Sequence, residues 1–285
     1  MDNKRILITG SQGQLGKEFI KVLELKGYNF VAPQEKNCDI ANFLEIGKIL
    51  TELNPQIIIN CAAYNAVDEA EVAPKRADLV NNKAVANLAR VCKDKGIFLV
   101  HYSSDYVFDG KKNSLYTEED SPNPLNAYGK SKLAGEESIK KVLGNFLIFR
   151  LSWVIGRGRQ NFLYKLKSWA AKEKVLKVSS DEISVPTYTA DVVDITLLSL
   201  EKRLKGIFHL TNSGYCSRYE LAAYFIRKMK LDNSILPASM KDFKTKAIRP
   251  QFSAMSNEKI SKALGVAIPK WEKAIDRFID ILEED

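Results

Sequence analysis

The segment Tyr128-Gly129-Lys130-Ser131-Lys132 sets a phenol and an ammonium four residues apart. On a helix that spacing puts both on one face. A free phenol, with a pKa near ~10, keeps its proton at neutral pH. A neighbouring ammonium stabilises the phenolate, so Lys132 is expected to lower the pKa of Tyr128 and make it a better proton donor. Lys132 can also donate to a ribose hydroxyl. Tyr/Lys pairs at this spacing are common on plain exposed helices, so the pair alone assigns no chemistry. Ser103-Ser104-Asp105 upstream supplies a third element. A hydroxyl at the carboxyl end of a strand lies where ligands bind in open α/β sheets. There it can hydrogen-bond a carbonyl and the oxyanion that develops from it. Ser104, Tyr128 and Lys132 are therefore the candidate catalytic set, suited to protonating a ketone as it is reduced.

A reductant needs a seat. Gly10-Ser11-Gln12-Gly13-Gln14-Leu15-Gly16 follows an apolar run and opens a helical pattern. Glycines at such a junction allow a tight turn and let backbone N–H groups approach a pyrophosphate at the positive end of the helix. The spacing is GxxGxxG rather than GxGxxG, and glycines also serve as plain turn residues. Asn60-Cys61-Ala62-Ala63 ends another apolar run; small residues there let a flat cofactor lie on the sheet edge or simply pack tightly. After the second strand, where a carboxylate would hold the adenosine ribose, the chain reads Ala32-Pro33-Gln34-Glu35-Lys36. Glu35 is close to that place without occupying it, and Asp39-Ile40 could bracket an adenine.

The elements that must position these residues alternate. Short apolar runs at 5–9, 29–32, 56–60, 97–103 and 146–153 read as strands, and patterns at 15–26, 77–95 and 127–142 read as helices. Repeated strand–helix units imply parallel strands joined by right-handed crossovers, an α/β doubly wound sheet of Rossmann type. Regularity falls after Trp153. Segments 161–172, 189–200 and 217–230 look helical and 206–210 looks like a strand, with Pro186, Pro237, Pro250 and Pro269 as punctuation. The expected division is a dinucleotide-binding domain over 1–152, with 188–212 returning to it, and a smaller substrate lobe over 153–187 and 213–285.

The 285 residues suffice for such a pair of units, and 45% hydrophobic content supports a sizeable core. No stretch reaches the apolar length of a membrane span, and the N-terminus runs into a strand with no signal-peptide pattern. Cys38, Cys61, Cys92 and Cys216 are scattered, which favours a reducing, cytoplasmic setting. His101 and His209 both lie in apolar runs, so neither a histidine metal site nor a Ser-His-Asp triad is supported. The net charge is +8, and residues 227–249 hold seven Lys/Arg against two Asp. With no nucleic-acid-binding signature, an anionic small substrate or a solvated basic face accounts for this better than nucleic acid does.

The glycine loop with Ser104, Tyr128 and Lys132 resembles the extended short-chain dehydrogenase/reductases. Longer strings are similar to those of the dTDP-4-dehydrorhamnose reductase family: 60–64 with 66–71, 101–108 (His-Tyr-Ser-Ser-Asp-Tyr-Val-Phe), 124–136 (Pro-Leu-Asn-Ala-Tyr-Gly-Lys-Ser-Lys-Leu-Ala-Gly-Glu), 150–154, 186–189 and Arg249-Pro250. The resemblance covers nearly the whole chain. It implies reduction of the ketone of dTDP-4-dehydro-L-rhamnose to dTDP-L-rhamnose with NADPH or NADH, a step toward a cell-surface polysaccharide precursor. It also implies that Gly13, Gln14, Leu15, Asp39, Ile40, Ala63, Tyr64 and Asn65 line the cofactor, with Gly10, Gln12, Cys61 and Ala62 beside them. Asp105 and Trp153 would touch the substrate, and Arg249 would face its diphosphate. Members often carry Thr where this chain has Ser104, whose hydroxyl serves the same bond. Their Asp near the end of the second strand has no counterpart among Pro33, Gln34 and Glu35, which leaves the choice between NADPH and NADH open. Some members are magnesium-linked dimers through acidic residues. Those positions find no match here, so no metal is expected and a homodimer stays open.

Two other readings compete. A sister epimerase or another nucleotide-sugar reductase would share the fold, whereas sugar dehydratases often carry Thr-Asp-Glu where this chain has Ser104-Asp105-Tyr106. A non-catalytic regulatory subunit would keep the fold and cofactor, but would be expected to lose part of the Ser/Tyr/Lys set.

Overall fold

The computed structural model describes residues 4–284. Residues 1–3 and 285, and with them the first part of the N-terminal reading, lie outside the described residues. The first units are β1 (Ile6–Thr9), α1 (Gln14–Leu25), β2 (Phe30–Val31), α2 (Phe43–Leu53) and β3 (Ile57–Asn60). Next come α3 (Val67–Val72), α4 (Pro74–Asp78), a π turn (Leu79–Lys83), α5 (Ala84–Lys95), β4 (Phe98–Ser104), α6 (Ala127–Val142) and β5 (Phe146–Leu151). β6 (Val154–Ile155), α7 (Phe162–Ala170), β7 (Val175–Ser179), β8 (Ile183–Ser184) and β9 (Thr187–Tyr188) follow, then α8 (Thr189–Glu201) and β10 (Gly206–His209). The chain finishes with β11 (Cys216–Ser217), α9 (Arg218–Lys228), β12 (Ser234–Ala238), α10 (Glu258–Leu264) and α11 (Trp271–Glu284).

Six strands form the central sheet in the order β10-β5-β4-β3-β1-β2, and every pairing is parallel. This is the expected doubly wound α/β architecture. Side chains alternate across the sheet, and both faces are apolar. Ile6, Ile8, Ile57, Ile59 and Phe149 pack with Phe19 of α1 and Val192 of α8. Leu7, Ile58, Leu99 and Ile148 pack with Leu50 of α2, Leu88 of α5 and Ile139 of α6. A sheet apolar on both faces must be covered on both, which fixes the helices as two layers. A third cluster joins Leu166, Val178, Phe225 and Phe278 from α7, β7, α9 and α11. Parallel strands β7 and β12 stand beside it, away from the main sheet. No helix among the described residues is long and apolar enough to cross a membrane.

Several elements depart from the sequence reading. The expected helix over 77–95 is interrupted by the π turn, and the strand expected over 146–153 stops at Leu151 because Trp153 takes a left-handed φ of 37°. Helix α2 was not anticipated, although Asn42 caps it by accepting from the Glu45 amide, the N-cap/N3 signature of a helix start. Helix α11 was also missed, although Trp271, Ala274, Ile275, Phe278 and Ile279 follow one helical face.

Candidate active site

A cleft of about 1550 Å³ runs along the carboxyl edge of the sheet. Gly13, Gln14, Leu15, Cys61, Ala62, Ala63, Asn65, Ser104, Asp105, Tyr128, Lys132, Trp153 and Arg249 all line it. Gly10, Gln12, Asp39, Ile40 and Tyr64 do not. Ile40 is buried against α2, the Asp39 carboxylate accepts from the Ala41 amide, and Tyr64 donates to Glu69 under the Arg76 guanidinium.

The glycine turn is a close-packed corner. Gly10 has a φ of +64°, and a Cβ there would meet the Ala62 backbone nitrogen at 2.5 Å. A Cβ on Gly16 would lie 2.3 Å from the Gly10 carbonyl oxygen. Gly13 differs: its Cβ would touch only the Gly10 oxygen, at 3.4 Å, and the rest of its surroundings are open. It is the N-cap of α1 and has no side chain to cap the helix. The unpaired N–H groups of the first turn of α1 thus stand beside a bare backbone on the cleft wall. That donor set fits a dinucleotide pyrophosphate. Gln14 ties the corner to the loop between β6 and α7, its Oε1 accepting from the Gly156 amide (3.1 Å) and from Asn161 Nδ2 (2.9 Å).

Strand β4 and helix α6 bring the catalytic candidates together. Asn126 caps α6 by accepting from the Gly129 amide at 2.8 Å, which starts the helix just before Tyr128. The close approach of α6 to the sheet needs Gly129, since a Cβ there would fall 2.2 Å from the Tyr106 carbonyl oxygen. The Tyr128 hydroxyl donates to Asn65 Oδ1 at 3.4 Å. Burial pushes its pKa up to about 12, a hydrogen bond with Ser104 pulls the other way, and the Asp105 charge adds to the rise. Lys132 is 1% exposed and its Nζ donates to the Tyr102 carbonyl at 2.6 Å. Burial lowers its pKa to about 8, opposed by Glu136. The expectation that Lys132 lowers the pKa of Tyr128 is therefore corrected: burial dominates at the phenol, and the ammonium is turned to a backbone carbonyl. The result is a firmly protonated phenol facing the Ser104 hydroxyl.

Asp105 borders the cleft, but both its oxygens are engaged. Ser104 Oγ donates to Oδ1 at 3.1 Å, and Ser184 and Ser253 donate to Oδ2 at 2.9 and 2.6 Å. Burial raises its pKa to about 6 against these hydrogen bonds. Asp105 thus stands behind Ser104 and joins the end of β4 to β8 and to the segment at Ser253. Across the cleft, the Arg218 guanidinium lies 3.6 Å from the centre of the Trp153 ring and 5.0 Å from that of Phe162. Arg218 is paired with Glu182 at 3.3 Å, and Glu182 accepts from the Tyr106 hydroxyl at 3.4 Å. Arg218, Glu182 and Phe162 were not singled out in the sequence. The capping box of Ser217 and Glu220 marks the start of α9, but no local spacing announces that Arg218 reaches Trp153. Lys165, Lys177 and Lys241 add further cations to this wall.

Comparison with known proteins places the chain. The family model described as "RmlD substrate binding domain" matches residues 4–284. The spore coat polysaccharide biosynthesis protein SpsK of Bacillus subtilis is 34% identical over 275 residues, covering 96% of each chain. The dTDP-4-dehydrorhamnose reductase of Burkholderia thailandensis is 32% identical over 299 residues, covering 98% of this chain and 100% of that one. The crystal structure of dTDP-4-dehydrorhamnose reductase from Bacillus anthracis in complex with NADP superposes with a TM-score of 0.94 at 33% identity, covering 98% of this chain and 99% of that one. On this ground, and with its residues set around one cleft at the sheet edge, the chain belongs to the family described by that model, the dTDP-4-dehydrorhamnose reductases.

Proposed function

We propose that this protein reduces the 4-keto group of dTDP-4-dehydro-L-rhamnose to give dTDP-L-rhamnose, with NADPH or NADH as reductant. The observation that carries this reading is the convergence of Ser104, Tyr128 and Lys132 on one cleft, between the glycine turn and a wall rich in cations. Residues 1–152 with 188–212 hold the cofactor in this reading, and 153–187 with 213–285 form the lobe that takes the sugar nucleotide. The free, scattered cysteines suit a cytoplasmic setting.

When bound, the cofactor supplies the hydride. Gly13, Gln14 and Leu15 would hold its pyrophosphate, and Cys61, Ala62, Ala63 and Asn65 would line its seat. On substrate binding, Ser104 turns its one O–H from Asp105 to the sugar carbonyl and fixes that oxygen beside Tyr128. The buried phenol stays protonated until negative charge develops on that oxygen, then passes its proton across. Lys132, fixed by the Tyr102 carbonyl, keeps a positive charge beneath the site and has further N–H groups to donate to a ribose. Trp153 and the cations opposite hold the sugar and its diphosphate.

The test is turnover. Protein mixed with NADPH and dTDP-4-dehydro-L-rhamnose is expected to consume one cofactor per sugar reduced, with the product identified by NMR. An epimerase would interconvert sugars without net cofactor loss, and a regulatory subunit would do neither. Either outcome would remove this reading.

A further inference from the structure

The wall that would face the substrate diphosphate contains an arginine whose two edges are used differently. Asp68, in the first turn of α3, accepts from Arg249 Nη2 at 2.6 Å and from Arg249 Nη1 at 3.2 Å. A second N–H of Nη1 donates to the Ala247 carbonyl at 3.3 Å. The same carboxylate also accepts from the Lys246 and Ala247 amides, at 2.9 and 3.0 Å. Four donors from residues 246–249 thus close on one carboxylate. Their positive field holds the Asp68 pKa down at about 2, the Arg249 hydrogen bond being the largest cause, so the clamp stays charged at any working pH.

A guanidinium has five N–H groups in a rigid fork. Asp68 occupies the terminal edge, and the Ala247 carbonyl takes the outer N–H of Nη1. The side edge, Nε–H with the remaining N–H of Nη2, meets no protein acceptor among the described residues, and Arg249 lines the cleft. That edge matches the spacing of two oxygens of a phosphate, which arginine binds through two parallel hydrogen bonds. The clamp is itself well braced. Glu71, one turn further along α3, accepts from the Ala127 amide at the start of α6 at 2.6 Å. The Ile248 carbonyl accepts from Asn126 Nδ2 at 2.8 Å. Asn65, just before α3, accepts from the Tyr128 hydroxyl.

We infer that Asp68 is a positioning residue for substrate binding: it fixes the strap at residues 246–249 and turns the side edge of Arg249 toward the diphosphate of the sugar nucleotide. The inference rests on the nucleotide-sugar reading above and adds a residue that touches neither substrate nor cofactor. It differs from a plain structural ion pair in its effect. Loss of the carboxylate leaves Arg249 in place but free to rotate, so binding of the anion suffers and the chemical step does not.

The experiment is a double-mutant cycle of Asp68→Ala, Arg249→Ala and the pair, read by three measurements on each protein. These are KM and kcat for the keto sugar, Kd for dTDP by calorimetry, and Kd for NADPH by fluorescence. Asp68→Ala is expected to raise KM and the dTDP Kd by about ten- to fiftyfold, with kcat within about threefold and NADPH affinity within about twofold. Because Asp68 acts through Arg249, the double variant should bind dTDP within about twofold of Arg249→Ala alone. Asp68→Asn keeps an acceptor for the two amides but loses the charge, and should fall between wild type and Asp68→Ala. An unchanged dTDP Kd in Asp68→Ala, additive losses in the pair, or a parallel loss of NADPH affinity would each overturn the inference while wild-type turnover left the reductase reading intact. Wild-type protein that neither binds dTDP nor turns over would bring down both.

Discussion

On the sheet side of the cleft, each candidate sits at the carboxyl end of a strand or at the start of the next helix. Gly13 follows β1, Cys61 and Ala62 follow β3, Ser104 ends β4, and Tyr128 lies in the first turn of α6. On the facing side, Glu182 and Arg249 lie in loops and Arg218 opens α9, and they are held by partners far along the chain: Arg218 by Glu182, Arg249 by Asp68. The first wall is fixed by the topology of a parallel sheet, which puts every β–α turn at one edge. The second is fixed by side-chain pairing between loops and the first turns of helices. A family that keeps its hydride chemistry and varies its substrate would change the second wall, where a new contact disturbs no ladder of backbone hydrogen bonds.

The largest effect expected on the sheet side comes from Tyr128→Phe, which keeps the ring and removes the proton. Turnover should fall by roughly two to four orders of magnitude, the range of a positioned acid, with NADPH affinity nearly unchanged. A variant within a few-fold of wild type would detach the phenol from the chemistry and reduce the comparison to one of packing.

Gly13→Asp is next. The backbone at this N-cap is already extended, with φ −75° and ψ 168°, and Asp is a favoured N-cap residue. The variant should therefore fold at least as stably as wild type, as read by thermal melting. Its carboxylate would oppose the pyrophosphate, at a cost on the order of 1–4 kcal/mol for like charges a few ångströms apart. NADPH affinity should drop by about tenfold or more. Unaltered affinity would move the cofactor off this turn.

Asp105 joins the two walls, and its titration tests that role with a smaller effect. Its pKa is raised in the folded chain, to about 6. The sign follows: the group favours folding most below about pH 4 and loses that contribution as pH rises through about 6. Thermal stability of Asp105→Asn relative to wild type should therefore rise between pH 4 and 6 and level off above. A difference that stays flat over this range would mean that the carboxyl titrates normally and is open to solvent.

The smallest effect expected concerns the cofactor itself. No carboxylate directly follows β2: Pro33 accepts a hydrogen bond from Ser11 at 2.7 Å, Glu35 comes four residues after the strand, and Asp39 is occupied by a local turn. Catalytic efficiencies with NADH and NADPH should differ by less than about a hundredfold, ~2.7 kcal/mol. A larger ratio would reveal a selecting group in this region.

This contrast also explains what could be read in advance. The doubly wound sheet was legible because buried parallel strands are short apolar runs and their helices repeat with the helical period. That Ser104, Tyr128 and Lys132 meet at one cleft was legible because a strand end and one helix turn have a local spacing. The resemblance named Trp153 and Arg249 but not what holds them. Asp68 lies between β3 and β4 and Arg249 181 residues further along the chain, and the Arg218 stack on Trp153 depends on a left-handed backbone at a residue that ordinarily avoids one. The resemblance also named Asp39, Ile40 and Tyr64, which lie outside the lining of the cleft and are engaged by local partners.

The return of β10 to the sheet has a consequence for how the protein is made. Gly206–His209 pairs along Leu147–Arg150 and is the outer neighbour of β5. Everything between those two strands, including α7 and the first strand of the β7–β12 pair, is synthesised before β5 acquires its second partner. During that interval β5 presents an unpaired ladder of amides and carbonyls, the kind of edge to which a second nascent chain can add. The order of strands in the finished sheet therefore sets a vulnerable window on the ribosome, which closes only when the chain has passed His209.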